Sequence, residues 1–430
     1  MKRFLSNLRR TALVAIALAV VAYPIATVAK VASMAVGWFH GLAERPAGGG
    51  MVLGANTLTS LVPDLYEALD VVSRELAGFI PSVTLDATAE RAALNQAIRI
   101  PITPASAAED VTPGQLPPDD GDQNIGNTPF SITKSRTVPF RWSGEEQKGV
   151  NTGPGYQTIR RDQIAQAMRT LVNEIEVDIG SLFVGASRAT GTPGSTPFAT
   201  NLGDTAQLRK ILSDNGAPLS DLQCVIDTTA GANIRTLAQL TKANEAGTKE
   251  LREQGTLLEL HGFTMRESAG VATRTAAGTG TSYVLNGAHA KGATTINVQT
   301  GSGTILPGDV ISIGGDARKY VVAAALSGGA LTINAPGLMQ AAATGATVTL
   351  AAAATCNMGF SRSAIVLATR APALPEEGDM AADRMLITDP RTGLTFEVAM
   401  YPQYRRVRYE VSLAWGKANI KPAHTGILLG

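Results

Sequence analysis

The sequence predicts an α+β chain: a long central helix, an α/β body, a projecting two-armed loop and a small β-barrel inserted late in the chain. Three observations carry that expectation. Over residues 156–188 apolar side chains recur at spacings of three and four, the mark of an amphipathic helix. Between residues 104 and 129 lie five prolines and five carboxylates without an apolar cluster, flanked by two arms of alternating polarity. Over residues 281–355 only five side chains are charged, and glycine-rich turns separate short β-rich runs.

The elements follow in order. Residues 1–50 hold six basic residues against Glu44 alone, with a charge-free run at 11–29 and a second apolar stretch at 31–39. This is an apolar leader, and it reads in two ways. Taken literally it is a membrane segment with a positive flank. The other reading is upstream read-through, because Gly48, Gly49 and Gly50 stand directly before Met51, which resembles an ordinary start. Residues 51–95 form an N-terminal arm, with Leu58, Leu61, Val62, Leu65, Leu69 and Val72 predicting a helix over 57–76 that Pro81 stops. Residues 96–150 form the extended loop hairpin. Its first arm is a strand at 97–103, confined by Pro101 and Pro104 to an edge or an isolated ribbon, and its second is the alternating run 130–142. The tip, 104–129, cannot order itself by burial and is expected to lie on another chain.

Residues 151–280 contain the spine helix, 156–188, expected to be about 45 Å long at about 1.5 Å per residue. An α/β body follows it: helices at 205–214 and 230–241, strands at 222–227 and 257–265. The insert, 281–355, carries strands at 294–298, 310–313, 320–323, 331–334 and 347–350, which predict a small barrel or sandwich standing as an independent unit. Residues 356–430 close a sheet: a strand at 364–369, a hairpin of 385–388 and 394–400 turning through Asp389-Pro390-Arg391-Thr392-Gly393, and the alternating run 407–415.

Composition narrows function mainly by exclusion. At 430 residues the chain is longer than one core supports, and with 44% hydrophobic residues it is not a disordered chain. The net charge of +1 hides a mildly acidic body behind the basic leader, and the body lacks the Lys/Arg face that sequence-independent nucleic-acid binding needs. Cys224 and Cys356 offer no metal spacing and read as buried, inert thiols, while His40, His261, His289 and His424 are isolated. The run Gly301–Gly308 lacks the Lys-Ser/Thr ending of a phosphate loop, and Asp119-Asp120-Gly121-Asp122 lacks the closing Glu of a calcium loop. No enzyme activity, cofactor or metal is expected.

The order of parts over residues 51–430 resembles the tailed-phage major capsid proteins of the Hong Kong 97-like fold, closest to the coat protein family of the short-tailed phage P twenty-two. The local pieces that carry the resemblance are Ser363–Arg370, Pro372 and Pro375, Asp389–Phe396 and Val411–Gly416. The resemblance implies an N-arm, an extended β-hairpin loop, a long spine helix, an α/β axial domain and an inserted β-barrel. It also implies a structural subunit that assembles with itself into hexamers and pentamers of an icosahedral shell around double-stranded DNA, first as a procapsid and then as a mature head. Scaffolding protein and portal are implied partners, DNA is enclosed without sequence-specific binding, and a membrane enters only through residues 1–50. The implied location is the virion capsid, assembled in the host bacterial cytoplasm. Candidate contacts between subunits are Glu109, Asp110, Asp119, Asp120 and Asp122 of the loop, the last three expected to meet Arg160 and Arg161 of a neighbour, and Asp316, Arg318 and Lys319 at a charged hairpin tip of the insert. The insert looks shorter than in the namesake coat. Two alternatives are a membrane-anchored surface β-rich binding protein and an encapsulin-type nanocompartment shell.

Overall fold

The structure is a computed structural model that describes residues 77–102, 113–114, 126–150, 156–237, 240, 259–274, 278–389 and 392–430. All of them belong to the unit 56–430, the chain's other unit being 1–55. The leader, the helix expected at 57–76 and the acidic residues of the loop tip lie outside the described residues.

The chain enters through a 3-10 turn, Ile80–Ser82, with Pro81 in its first positions, and runs straight into strand β1, Thr84–Ala92. The arm reading had no strand here; β1 gains its ladder from a distant partner rather than from its own pattern. Strands β2, Ala97–Ile102, and β3, Gly126–Ser131, then pair with each other in antiparallel register, Ala97 opposite Ser131 and Ile102 opposite Gly126, and with no other described strand. The isolated ribbon that the prolines called for is therefore present. Its second arm is shorter than expected. The alternating run 130–142 breaks at Ile132 and Thr133, and β4, Lys134–Ser143, leaves the ribbon to pair with β20, Arg406–Asn419. The alternation survives the break: Phe130, Ile132 and Trp142 are all buried, the first two in one small cluster with Val366, Ala368 and Ala414.

A short helix α1, Gly144–Val150, precedes the spine helix α2, Tyr156–Gly180. The spine ends eight residues before the expected Arg188. At Gly180 the carbonyl of Gly270 comes so near that a Cβ would stand 2.2 Å from its oxygen, and the chain tightens into a 3-10 turn, Ser181–Gly185, before opening into β5, Arg188–Gly191. A 25-residue helix is about 37 Å long. Ile164, Met168, Leu171, Val172, Ile175 and Ile179 are each no more than 1% exposed, and at about 1.5–3 kcal/mol per buried side chain this stripe stabilises the fold by on the order of 10 kcal/mol.

The α/β body keeps its expected parts with shifted bounds: α3, Gly203–Asp214, β6, Leu222–Ile226, and α4, Thr228–Thr236. Asp227 belongs to neither strand nor helix; its carboxylate accepts from the N–H groups of Thr229 and Ala230 and caps α4. The single strand expected at 257–265 is a hairpin, β7, Glu259–Leu260, and β8, Phe263–Glu267, turning at His261 and Gly262 with φ of 51° and 81°. Strand β9, Thr273–Arg274, leads to the insert.

The insert is a closed antiparallel barrel of six strands: β10, Tyr283–Leu285, β11, Thr295–Gln299, β12, Val310–Ile313, β13, Lys319–Ser327, β14, Ala330–Ile333, and β15, Thr347–Leu350. The order β12-β15-β10-β11-β14-β13 returns to β12, so no edge is left open. Its own core includes Leu285, Ile296, Ile311, Tyr320 and Leu331. It is not independent in its hydrogen bonding, because Lys319 and Tyr320 of β13 pair with Ala189 and Arg188 of β5. The strand ladder thus continues from the barrel through β5, β21 (Thr425–Leu429), β16 (Ala354–Ser361), β6, β8 and β7. Neither β16 nor β21 was expected. In β16 Asn357 and Gly359 break any hydrophobic alternation, yet both are required: Asn357 binds Asp227 N and Leu428 O, and a Cβ at Gly359 would meet Leu208 at 2.2 Å.

On the other side of the spine lies a six-stranded sheet, β1-β17-β20-β19-β18 with β4 on β20, where β17 is Ile365–Pro372, β18 Asp383–Thr388 and β19 Thr395–Gln403. Phe396, Val398, Val411, Leu413 and Trp415 of this sheet share one core with the spine helix and with β16 and β21, so α2 is the common wall of both sheets.

Candidate functional site

Three clusters on or beside the spine helix decide what the surface can do. The first is a buried carboxylate. Glu176, 4% exposed, accepts from the backbone N–H groups of Gly78, Phe79 and Ile80 at 3.2, 2.9 and 2.8 Å and from Ser268 Oγ at 2.5 Å. It ties the entering chain and the 268–270 turn to the spine. Burial pushes its pKa above the usual carboxylate value, against the pull of the Ser268 and backbone hydrogen bonds.

The second cluster fixes the base of the hairpin. Lys134 Nζ of β4 lies 3.0 Å from Glu174 and 2.9 Å from Asp178, Arg136 adds a contact of 3.1 Å to Glu174, and Trp415 Nε1 donates to Asp178 at 2.9 Å. Burial works against ionisation of Asp178, yet the hydrogen bonds from Lys134 and Trp415 and the charges of Lys417 and Lys134 hold its pKa below the ordinary value. The root of the loop is therefore clamped to the spine by charge.

The third cluster lies at the seam between barrel and body. Arg274 and Asp309 form a buried ion pair, and Arg274 also donates to the carbonyls of Ala351 and Ala352. One guanidinium thus pins both the chain entering the insert and the chain leaving it. Asn334 crosses the same seam to the carbonyls of Val184 and Ala186 at 2.7 and 2.8 Å. Beside it, a cleft of about 420 Å³ opens between α3 and the β12–β13 turn; its lining includes Arg188, Lys210, Asp316, Arg318 and Lys319.

This places the expected contact residues. Asp316, Arg318 and Lys319 come together in that cleft, and they are bound within the subunit rather than displayed on a free tip. Arg318 reaches Asp316 at 3.1 Å, Tyr320 Oη donates to Asp316 at 2.6 Å, and Lys319 donates to the Gly191 carbonyl. Arg160 and Arg161 sit apart from them on the first turns of α2, where Arg160 is nine-tenths buried and Arg161 pairs with Asp162 at 3.1 Å. Glu109, Asp110, Asp119, Asp120 and Asp122 lie outside the described residues. Glu176 and the Arg274–Asp309 pair were not singled out from sequence. The available signal was a carboxylate next to Ile175 on the apolar side of the spine pattern, and an aspartate, Asp309, in a segment nearly devoid of charge.

The reactive residues occupy structural positions. Cys224 and Cys356 are buried, with thiol pKa values pushed by burial up to about 12 and about 11. His261 Nδ1 bonds Thr205 Oγ1 at 2.6 Å, and His289 Nε2 accepts from the Asn297 N–H at 3.2 Å. Among the described residues no group of His, Cys, Asp and Glu side chains could hold a metal ion, and no helix is long and apolar enough to cross a membrane.

No family model matches the chain, and no curated protein is similar to it. Among solved structures it is similar to the capsid structure of the cyanophage P-SCSP1u, at 11% identity over 90% of this chain and 92% of that one, with a TM-score of 0.46. It is similar to the asymmetric unit of the bacteriophage PhiM1 mature capsid, at 11% identity over 82% and 86% of the two chains with a TM-score of 0.43. A virus-like particle from Pyrococcus furiosus overlaps at 9% identity over 86% of this chain and 100% of that one, with a TM-score of 0.42.

Proposed function

We propose that the chain is a shell subunit, the major capsid protein of a tailed bacteriophage or prophage with a Hong Kong 97-like fold, nearest in kind to the coat of phage P twenty-two. The observation that carries the reading is the β2–β3 ribbon: it pairs with no other described strand, its base is clamped to a long buried spine, and the chain between its arms is acidic and proline-rich. A monomeric globular domain gains nothing from such a projection, whereas a subunit that must grip its neighbours does. The chemistry is consistent with this role, since Cys224 and Cys356 are buried and the rings of His261 and His289 are held in hydrogen bonds.

In this reading copies of the chain close into hexamers and pentamers of an icosahedral shell, with scaffolding and portal proteins as assembly partners, in the cytoplasm of a bacterial host. Double-stranded DNA is enclosed without sequence-specific contacts, and the mildly acidic body keeps it from adhering to the wall. The loop acids, with Arg160 and Arg161 and with Asp316, Arg318 and Lys319, belong to contacts between copies. Expression of the full chain and of residues 51–430, each with and without an adjacent scaffolding gene, followed by electron microscopy, tests the proposal. Closed hollow particles are the expected result; a small monodisperse species under every condition overturns it.

A further inference from the structure

The cleft at the barrel seam carries four cations, Arg188, Lys210, Arg318 and Lys319, and the only carboxylate in its lining is Asp316. Asp214 behind it is shared by Arg188 and Lys210 at 3.4 and 3.2 Å, so positive charge remains in excess. Arg188 is the built part of the site. Its side chain is 3% exposed, and its Nη atoms are engaged by Ile211 O and Asn215 Oδ1 at 2.9 and 3.0 Å. Its buried Nε, however, has no hydrogen-bond partner among the described residues, and the same holds for Nε of Arg318. Burial, and after the Asp214 contacts the charge of Arg318, bear on the Arg188 guanidinium, whose pKa lies below its ordinary value. The excess of positive charge gathered in one cleft fits an incoming anion with several oxygens.

The chain supplies such an anion. Between Ile102 and Gly126, whose pairing holds the two arms together, it carries Glu109, Asp110, Asp119, Asp120 and Asp122 and no basic residue. Doubled back on itself, a tip of this length reaches on the order of 35 Å, at about 3.3 Å per residue. We infer that the cleft formed by Arg188, Lys210, Arg318 and Lys319 receives the acidic loop tip of a second copy of this chain, with Asp119, Asp120 and Asp122 as its anchoring carboxylates. The inference rests on the shell reading, in which the tip grips an adjacent copy: the ribbon is rooted beside β17 and β20 of the six-stranded sheet, and the cleft lies at the barrel seam. It assigns them a different acceptor from Arg160 and Arg161.

The test assembles a mixture of isotopically light and heavy full-length chains, checks it for particles by electron microscopy, and treats it with a carbodiimide, which joins a carboxylate to an amine with loss of water. The expected product is a peptide linking Lys210 or Lys319 to the 109–122 segment with one light and one heavy half. Particles whose loop peptides link only to other lysines such as Lys148, or only within one isotope, overturn this inference and leave the shell reading standing. A sample without particles sinks the shell reading and this inference together. As a second arm, Lys210→Glu at an exposed position is expected to lower particle yield about tenfold, the equivalent of one lost charge contact, and Asp120→Lys in the same chain to restore it. A Lys210→Glu chain that assembles like the parent also overturns the assignment.

Discussion

The Glu176 carboxylate accepts four hydrogen bonds from groups far apart in sequence, three from residues 78–80 and one from Ser268. Replacement by alanine leaves three backbone donors unpaired in a buried place, so Glu176→Ala is expected to destabilise the subunit by about 3 kcal/mol or more in chemical denaturation. Its pH dependence has a definite sign. The folded pKa lies above the ordinary carboxylate value, so the protonated form is favoured by folding; that contribution is complete below the ordinary value and is lost as pH rises through the folded value. Stability is expected to fall as pH rises through the folded value, and Glu176→Gln, which cannot titrate but keeps one acceptor oxygen for the Gly78, Phe79 and Ser268 donors while its NH2 faces the Ile80 N–H, should flatten that slope at a cost of about 1–3 kcal/mol. An unchanged slope in the Gln variant would show that other groups govern it. Glu174 and Asp178 fall outside the apolar stripe of the spine, and both pair with Lys134. The role of Glu176 was invisible because all of its donors come from other segments.

At the scale of elements, the ribbon depends on one close approach. A Cβ at Gly416 of β20 would stand 2.2 Å from the Ser131 carbonyl oxygen and 3.1 Å from Ile132 Cα, where the chain passes from β3 to β4. Gly416→Ala is expected to lift that crossing, destabilise the subunit by about 1–3 kcal/mol and speed amide exchange over Ala97–Ile102 and Gly126–Ser131 more than in the barrel. Equal protection of the ribbon in variant and parent would refute the close-approach argument. Periodicity found the spine, α3, α4, five of the six barrel strands and β20 because each has a pattern of its own. It failed at β1, β5, β10, β16 and β21, which are strands by virtue of their neighbours, and it ran the spine past Gly180, where the Gly270 carbonyl approaches from elsewhere in the chain.

For the whole molecule, contacts within the subunit and contacts between copies should answer salt differently. The Arg274–Asp309 pair is buried, with side chains 5% and 1% exposed, and is screened little, whereas docking of an acidic tip into a basic cleft begins between solvated charges. Raising sodium chloride from about 0.15 to 1 M shortens the screening length from about 8 to 3 Å. Assembly yield is expected to fall about tenfold while the unfolding midpoint of the isolated subunit stays nearly fixed; light scattering and calorimetry measure the two, and assembly that is indifferent to salt counts against charge-driven docking. The sequence by itself determined which parts exist: a spine from its apolar spacing, an isolated ribbon from its prolines, a barrel from its uncharged, glycine-punctuated strands, and inert thiols from their isolation. Only the tertiary structure decided how those parts join, with β13 welded to β5, Arg274 closing the insert at both ends, Glu176 holding the arm, and Arg188, Lys210, Arg318 and Lys319 gathered into one cleft. The physical reason is that periodicity is a local property of a chain, while ladders between distant strands, buried ion pairs and charge concentrated in a cleft depend on segments that meet only when the chain has folded.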